Sequence, residues 1–117
     1  MKGIYFINEK WVMNDYKTLD ESLEIQKESI SSFISTNSIE TIKLNPYQLN
    51  DYYTIPHALY YDLKQTKPQI DCLIIYSEKV IEDFIESYPA RWLVLKSFFN
   101  KVVFLDEVQS YHYQDIV

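Results

Sequence analysis

The stretch Asp71-Cys72-Leu73-Ile74-Ile75-Tyr76-Ser77-Glu78-Lys79 constrains the fold more than any other part of the chain. A short apolar run, entered from a charged residue and left through Ser-Glu-Lys, shows no alternation of polar and apolar positions. Neither face of such a strand meets water. Strands of that kind belong to parallel sheets covered by helices. Ligands of open α/β sheets bind beyond the carboxyl ends of the strands, so residues 77–79 mark where chemistry would be sought.

The 117 residues suffice for one domain with one hydrophobic core. An apolar share of 47% and a charged share of 24% are those of an ordinary folded domain. The single glycine argues against a glycine-rich phosphate loop. A formal net charge of −6 disfavours stand-alone DNA binding, which relies on a basic surface that displaces counterions. One cysteine excludes an internal disulfide, and with no signal peptide apparent the expected location is the cytoplasm. No apolar run approaches the ~20 residues that span a bilayer.

Taken in order, Lys2 to Ile7 reads as a first strand and residues 8–17 as a loop. Thr18-Leu19-Asp20-Glu21 has the form of a capping box, with Thr at the cap and Glu three positions on. Leu23, Ile30, Phe33 and Ile34 then recur at helical spacing, with Gln26 on the same stripe, and predict a helix to about Thr36. A second strand is expected over Ser38 to Leu44, then a connection over residues 45–54. Pro56 can open a helix, which Pro68 must end. After the central strand, placed at Cys72 to Tyr76, a short helical piece is expected over Val80 to Ser87. Another helix begins at Pro89, its buried side supplied by Trp92, Leu93, Leu95, Phe98 and Phe99. Lys101 to Leu105 reads as the last core strand, and residues 106–117 as an edge strand or docked tail. Strands alternating with helices make right-handed βαβ units. The expected fold is therefore α/β, a three-layer sandwich with a mostly parallel sheet of four to five strands in flavodoxin-like order, forming one domain over residues 1–117.

Three segments also carry a resemblance. Gly3-Ile4-Tyr5 opens a strand, Ser22-Leu23-Glu24-Ile25-Gln26 lies at the start of a helix, and Ile70-Asp71 to Lys79 forms a strand and its exit. In order and spacing they resemble the catalytic domain of the serine recombinases, the resolvase and invertase family. The resemblance covers most of the chain. It implies a resolvase-like fold, a bacterial or phage setting, and a link to DNA recombination or a mobile element. In that family a serine attacks a DNA phosphate and arginines stabilise the transition state. Carried over residue by residue, the family nucleophile falls on Glu9, and the arginine positions on Ile7, Ile55, Lys79 and Glu82. Losing even one oriented donor costs about 10²–10³ in rate. The resemblance thus implies a catalytically silent relative without the family's long dimerisation helix and DNA-binding domain. The expected role is a protein-interaction or regulatory module, not an enzyme, acting as a monomer or a dimer unlike the family's. The alternative is a strand-transfer protein with a displaced nucleophile such as Ser77 or Ser22.

The residues themselves supply further candidates. Trp11, Tyr47, Tyr52, Tyr53, Tyr60 and Tyr61 suggest an aromatic surface for a protein partner. Lys79 at the strand exit could contact an anion. Glu9, Glu78 and Glu82 could in principle converge on a metal, but as loop acids they read as solvated, so no metal and no cofactor are expected. Cys72, inside an apolar strand, reads as a small buried hydrophobe. His57 and His112 have no serine or cysteine tied to them by sequence.

Overall fold

The computed structural model describes residues 1–107. Its sheet has four parallel strands: β1 (Lys2–Phe6), β2 (Glu40–Thr41), β3 (Ile70–Ile75) and β4 (Phe99–Phe104), in the order β2-β1-β3-β4. That is the flavodoxin-like order expected for this sandwich. The helices are α1 (Leu19–Thr36), α2 (Pro56–Thr66), α3 (Glu82–Ser87) and α4 (Pro89–Lys96), with a 3₁₀ turn at Glu78–Ile81. Residues 108–117 of the expected tail, including His112, lie outside the described residues. Among the described residues no helix is long and apolar enough to cross a membrane.

The strand order and the right-handed crossover rule together place the helices. The chain moves one way from β1 to β2 and the other way from β2 to β3 and β4, so α1 must cover one face and the remaining helices the opposite one. The buried side chains sort accordingly. One cluster joins Ile4, Phe6, Leu73 and Ile75 of the sheet to Leu59, Leu63, Phe84, Trp92 and Leu95 of α2, α3 and α4. The other joins Ile7, Cys72, Ile74 and Val103 to Ile30 of α1, with Leu23, Phe33 and Ile34 packed against it. Successive residues of β3 therefore alternate between two cores, and Cys72 through Ile75 are all 0% exposed. This is the double burial that its apolar run implies.

Local signals set several boundaries. Thr18 caps α1: its hydroxyl accepts from the Glu21 amide at 3.1 Å, and the Glu21 carboxylate accepts from the Thr18 amide at 3.0 Å. Pro56 is the first residue of α2, and Lys67 ends that helix in the left-handed region at φ 49°, one residue before Pro68. Gly3 is needed for space, since a Cβ there would lie 3.0 Å from both Cys72 Sγ and an Ile39 methyl.

Three expectations are corrected. Phe98 and Phe99 do not belong to the helix begun at Pro89, which ends at Lys96, and Phe99 instead opens β4. The second strand is only Glu40–Thr41, not Ser38 to Leu44. Ser38 sits at φ 52°, outside extended geometry, and the Ile39 amide is still held by the Ile34 carbonyl of α1. Leu93 is 63% exposed, because α4 turns Trp92 and Leu95 inward at a spacing of three and leaves Leu93 on the outer side.

Candidate functional site

In this topology the crevice lies where the order reverses, between the carboxyl ends of β1 and β3. It has a volume of about 260 Å³ and is lined by Asn8 from the β1 exit, Val80 and Ile81 from the β3 exit, Pro56 and His57 from the start of α2, and Asp83, Phe84, Ser87 and Tyr88 around α3.

The β1 side is held by buried polar groups. The Gln26 side chain, 0% exposed, pairs with the backbone of Asn8: its Oε1 accepts from the Asn8 amide at 3.0 Å and its Nε2 donates to the Asn8 carbonyl at 2.9 Å. Asn8 in turn spans the switch point, with Nδ2 donating to the Val80 carbonyl at 3.0 Å and Oδ1 accepting from the Lys10 amide at 2.9 Å. One turn earlier on α1, the buried Ser22 hydroxyl donates to the Thr18 carbonyl at 2.9 Å and accepts from the Met13 amide at 2.9 Å. Ser22 and Gln26 thus fasten both halves of the β1–α1 loop. At the β3 exit, Ser77 is 4% exposed and its hydroxyl accepts from the Lys79 amide at 3.3 Å, capping the 3₁₀ turn.

The opposite wall is built from rings. His57 meets Phe84 and Tyr88 edge-on, with centroids 5.1 and 4.6 Å away. Arg91 of α4 lies 3.2 Å from His57 Nδ1. A guanidinium can only donate, so the ring nitrogen is the acceptor in this contact. The Arg91 guanidinium also lies over the rings of Tyr60 and Tyr88, at 5.6 and 5.1 Å from their centroids. Asn8 and this ring cluster gave no sign in the sequence, since both depend on residues far apart in the chain. Gln26 did give one, being a polar residue on the apolar stripe of α1.

The carried-over positions are scattered by environment. Glu9 is exposed, Ile7 is 1% exposed inside the α1-side core, Ile55 is 58% exposed ahead of α2, and Lys79 and Glu82 are exposed. Glu78 is exposed as well, and no group of three or more His, Cys, Asp or Glu among the described residues is placed to hold a metal ion. Cys72 is fully buried, with its Sγ 3.9 Å from the Lys2 carbonyl, and burial pushes its thiol pKa up.

The six aromatic candidates do not share one exposed surface. Tyr53 is 5% exposed and belongs to the core. Its backbone extends the sheet past β2, donating to the Tyr5 carbonyl and accepting from the Ile7 amide, and its hydroxyl donates to Asp62 at 2.7 Å. Burial, and then the Asp62 carboxylate, raise its pKa well above the ordinary tyrosine value. Tyr52 packs against Tyr5 at 5.5 Å, Trp11 against Tyr76 at 5.9 Å, and Tyr60 lies between Lys64 and Arg91. Tyr53 is thus corrected to a core residue, whereas Tyr52, Trp11 and Tyr60 are half-buried and pack against the core with one side. Tyr47 and Tyr61 remain outward, at 88% and 62% exposed. Leu49, in the same connection as Tyr47, is also outward at 97% exposed, and as an aliphatic residue it lies outside the aromatic pattern of the sequence.

The strand-end crevice of a parallel α/β domain is thus defined, and Asn8 in its lining holds the protein's own loops together. Comparison with known proteins finds no matching family model, no matching curated protein and no matching solved structure.

Proposed function

We propose that this chain is a non-catalytic domain, similar to the serine recombinase catalytic domain, that works by binding another protein. The hydroxyls of Ser77 and Ser22 are buried and committed to backbone partners, so neither is presented as a nucleophile. Glu9 at the nucleophile position would repel a phosphodiester, and Ile7 and Ile55 supply no charge to a transition state. These features support the non-catalytic half of the reading.

The observation that carries the binding half is the connection between β2 and α2. It is ordered by its own hydrogen bonds: Asn45 Oδ1 accepts from the Tyr47 amide, the Asn45 carbonyl accepts from the Gln48 amide, and Gln48 Nε2 donates to the Tyr52 carbonyl. Yet it holds Tyr47 and Leu49 almost wholly in water. Ordering a loop costs conformational entropy, and large apolar side chains displayed on an ordered loop are suited to burial against a partner.

The test has two arms. Full-length protein is used to isolate partners from nuclease-treated extract, and Tyr47→Ala/Leu49→Ser is compared with the parent. Loss of a stoichiometric partner at unchanged thermal stability supports the surface; equal recovery refutes it. Incubation with nicked duplex DNA should give no covalent protein–DNA adduct, and an adduct would overturn the non-catalytic assignment.

A further inference from the structure

Far from the β2–α2 connection, a groove of about 530 Å³ follows the outer edge of β4; Lys96, Leu93, Lys101, Val102, Phe104 and Glu78 are among its lining residues. β4 is the last strand of the sheet, so among the described residues no strand pairs with its far side. The phase of its ladder is set by two bonds to β3 and its exit: the Ile70 amide donates to the Phe98 carbonyl at 2.9 Å, and the Asp106 amide donates to the Tyr76 carbonyl at 3.0 Å. Even-numbered residues of β4 therefore direct their backbone groups to β3. With a period of two, Lys101 and Val103 direct theirs outward.

The groove is also polarised along its length. Lys96 ends α4 just ahead of the amino end of β4, whereas Glu78 follows the carboxyl end of β3 and so sits beside the carboxyl end of β4, because the two strands are parallel. We propose that this edge is a homodimer interface, in which β4 pairs antiparallel with β4 of a second copy about a two-fold axis through Val102. Lys101 then opposes Val103 of the second copy, and Val103 opposes its Lys101, as two hydrogen-bonded pairs. Val102 meets its own counterpart, and the two sheets join into one of eight strands. The same rotation reverses the groove, so the Glu78 end of each copy faces the Lys96 end of the other. A two-fold interface must be complementary to itself, and a groove with an acid at one end and lysine at the other meets that condition. Exposed edge strands readily pair in this way.

Sedimentation velocity of the full chain, from micromolar to millimolar in salt enough to screen the net charge of −6, tests the assignment. The expected result is a reversible doubling of mass. Val102→Glu sets two like charges across the axis and should raise the dimer dissociation constant roughly tenfold or more. Val102 also touches the core, so Glu78→Lys, at an exposed position, provides the second test and should weaken the dimer while leaving the melting temperature of the dilute monomer unchanged. Glu78→Lys/Lys96→Glu exchanges both charges and should restore it. A monomer at millimolar concentration overturns the proposal, as does a dimer indifferent to both Val102→Glu and Glu78→Lys. Slow amide exchange at Lys101 and Val103 in a monomer would assign the edge to the chain's own residues 108–117 and overturn it equally.

Discussion

On one face of the sheet a single helix, α1, packs over Ile7, Cys72, Ile74 and Val103, and two of the residues it buries completely are the polar Ser22 and Gln26. On the other face three helices cover Ile4, Phe6, Leu73 and Ile75, and the residues they bury are Leu59, Leu63, Phe84, Trp92 and Leu95, all apolar. Three helices can close a face by apolar contact alone. The lone helix also anchors the long loop that leads into it, and that task needs hydrogen bonds of fixed direction. Buried polar groups are costly unless satisfied, so they specify one geometry, whereas apolar contacts tolerate several.

The largest effects test whether the faces contribute equally. Leu73→Ala on the three-helix face and Ile74→Ala on the α1 face should each cost about 3–4 kcal/mol in denaturant unfolding. A much smaller loss for Ile74→Ala would mean that α1 repacks around the cavity and that its face is the looser one. Next comes Gln26→Leu, which keeps the volume and the apolar stripe but strands the Asn8 amide and carbonyl. Its expected cost is roughly 2–3 kcal/mol, with faster amide exchange confined to the loop between β1 and α1. Stabilisation by leucine would show that the polar clamp serves no structural purpose.

Tyr53→Phe probes the one polar bond that the three-helix core holds through a tyrosine, the 2.7 Å contact with Asp62. The loss should be about 1–2 kcal/mol at neutral pH. Because the folded-state pKa of Tyr53 is raised, its contribution is complete below the ordinary value of 10.0 and is lost as pH rises towards the folded value. The parent should therefore lose stability more steeply above that pH than Tyr53→Phe. Parallel alkaline limbs would disprove the assignment.

The smallest effect belongs to the capping box of α1. The Glu21 carboxyl is held below its ordinary value of 4.5 chiefly by its hydrogen bonds with Thr18, first to the backbone and then to the side chain. A depressed acid stabilises above its ordinary pKa, and the contribution disappears as pH falls through the depressed value. Glu21→Gln keeps an acceptor for the Thr18 amide and should flatten only the acid limb of the helical signal. An unchanged acid limb would remove Glu21 from that role.

The comparison also shows what could be read from residue order. Thr18 and Glu21 announced the start of α1, and Pro56 with Pro68 bracketed α2, because caps and prolines act through backbone groups a few residues away. The unbroken apolar run of β3 announced burial on two faces, since only a strand between two helical layers can hide consecutive side chains. Gln26 was visible as a misfit on an apolar stripe, but its partner was not: Asn8 lies 18 residues earlier and meets it only once β1 and α1 have packed.

Elsewhere the tertiary structure alone decided. Tyr47 and Tyr53 are the same residue type in the same connection, yet one is 88% exposed and the other 5%. Tyr53 is buried because the edge of β1 beyond the short β2 was open to receive its backbone, a fact that depends on where β2 stops. Leu93 faces water because α4 needs only Trp92 and Leu95 to close its contact with the sheet. Periodicity states which residues share a side, and local chemistry states where an element begins and ends. Which sides are covered is settled by strand order and by the non-local contacts that complete each layer, and those exist only in the folded chain.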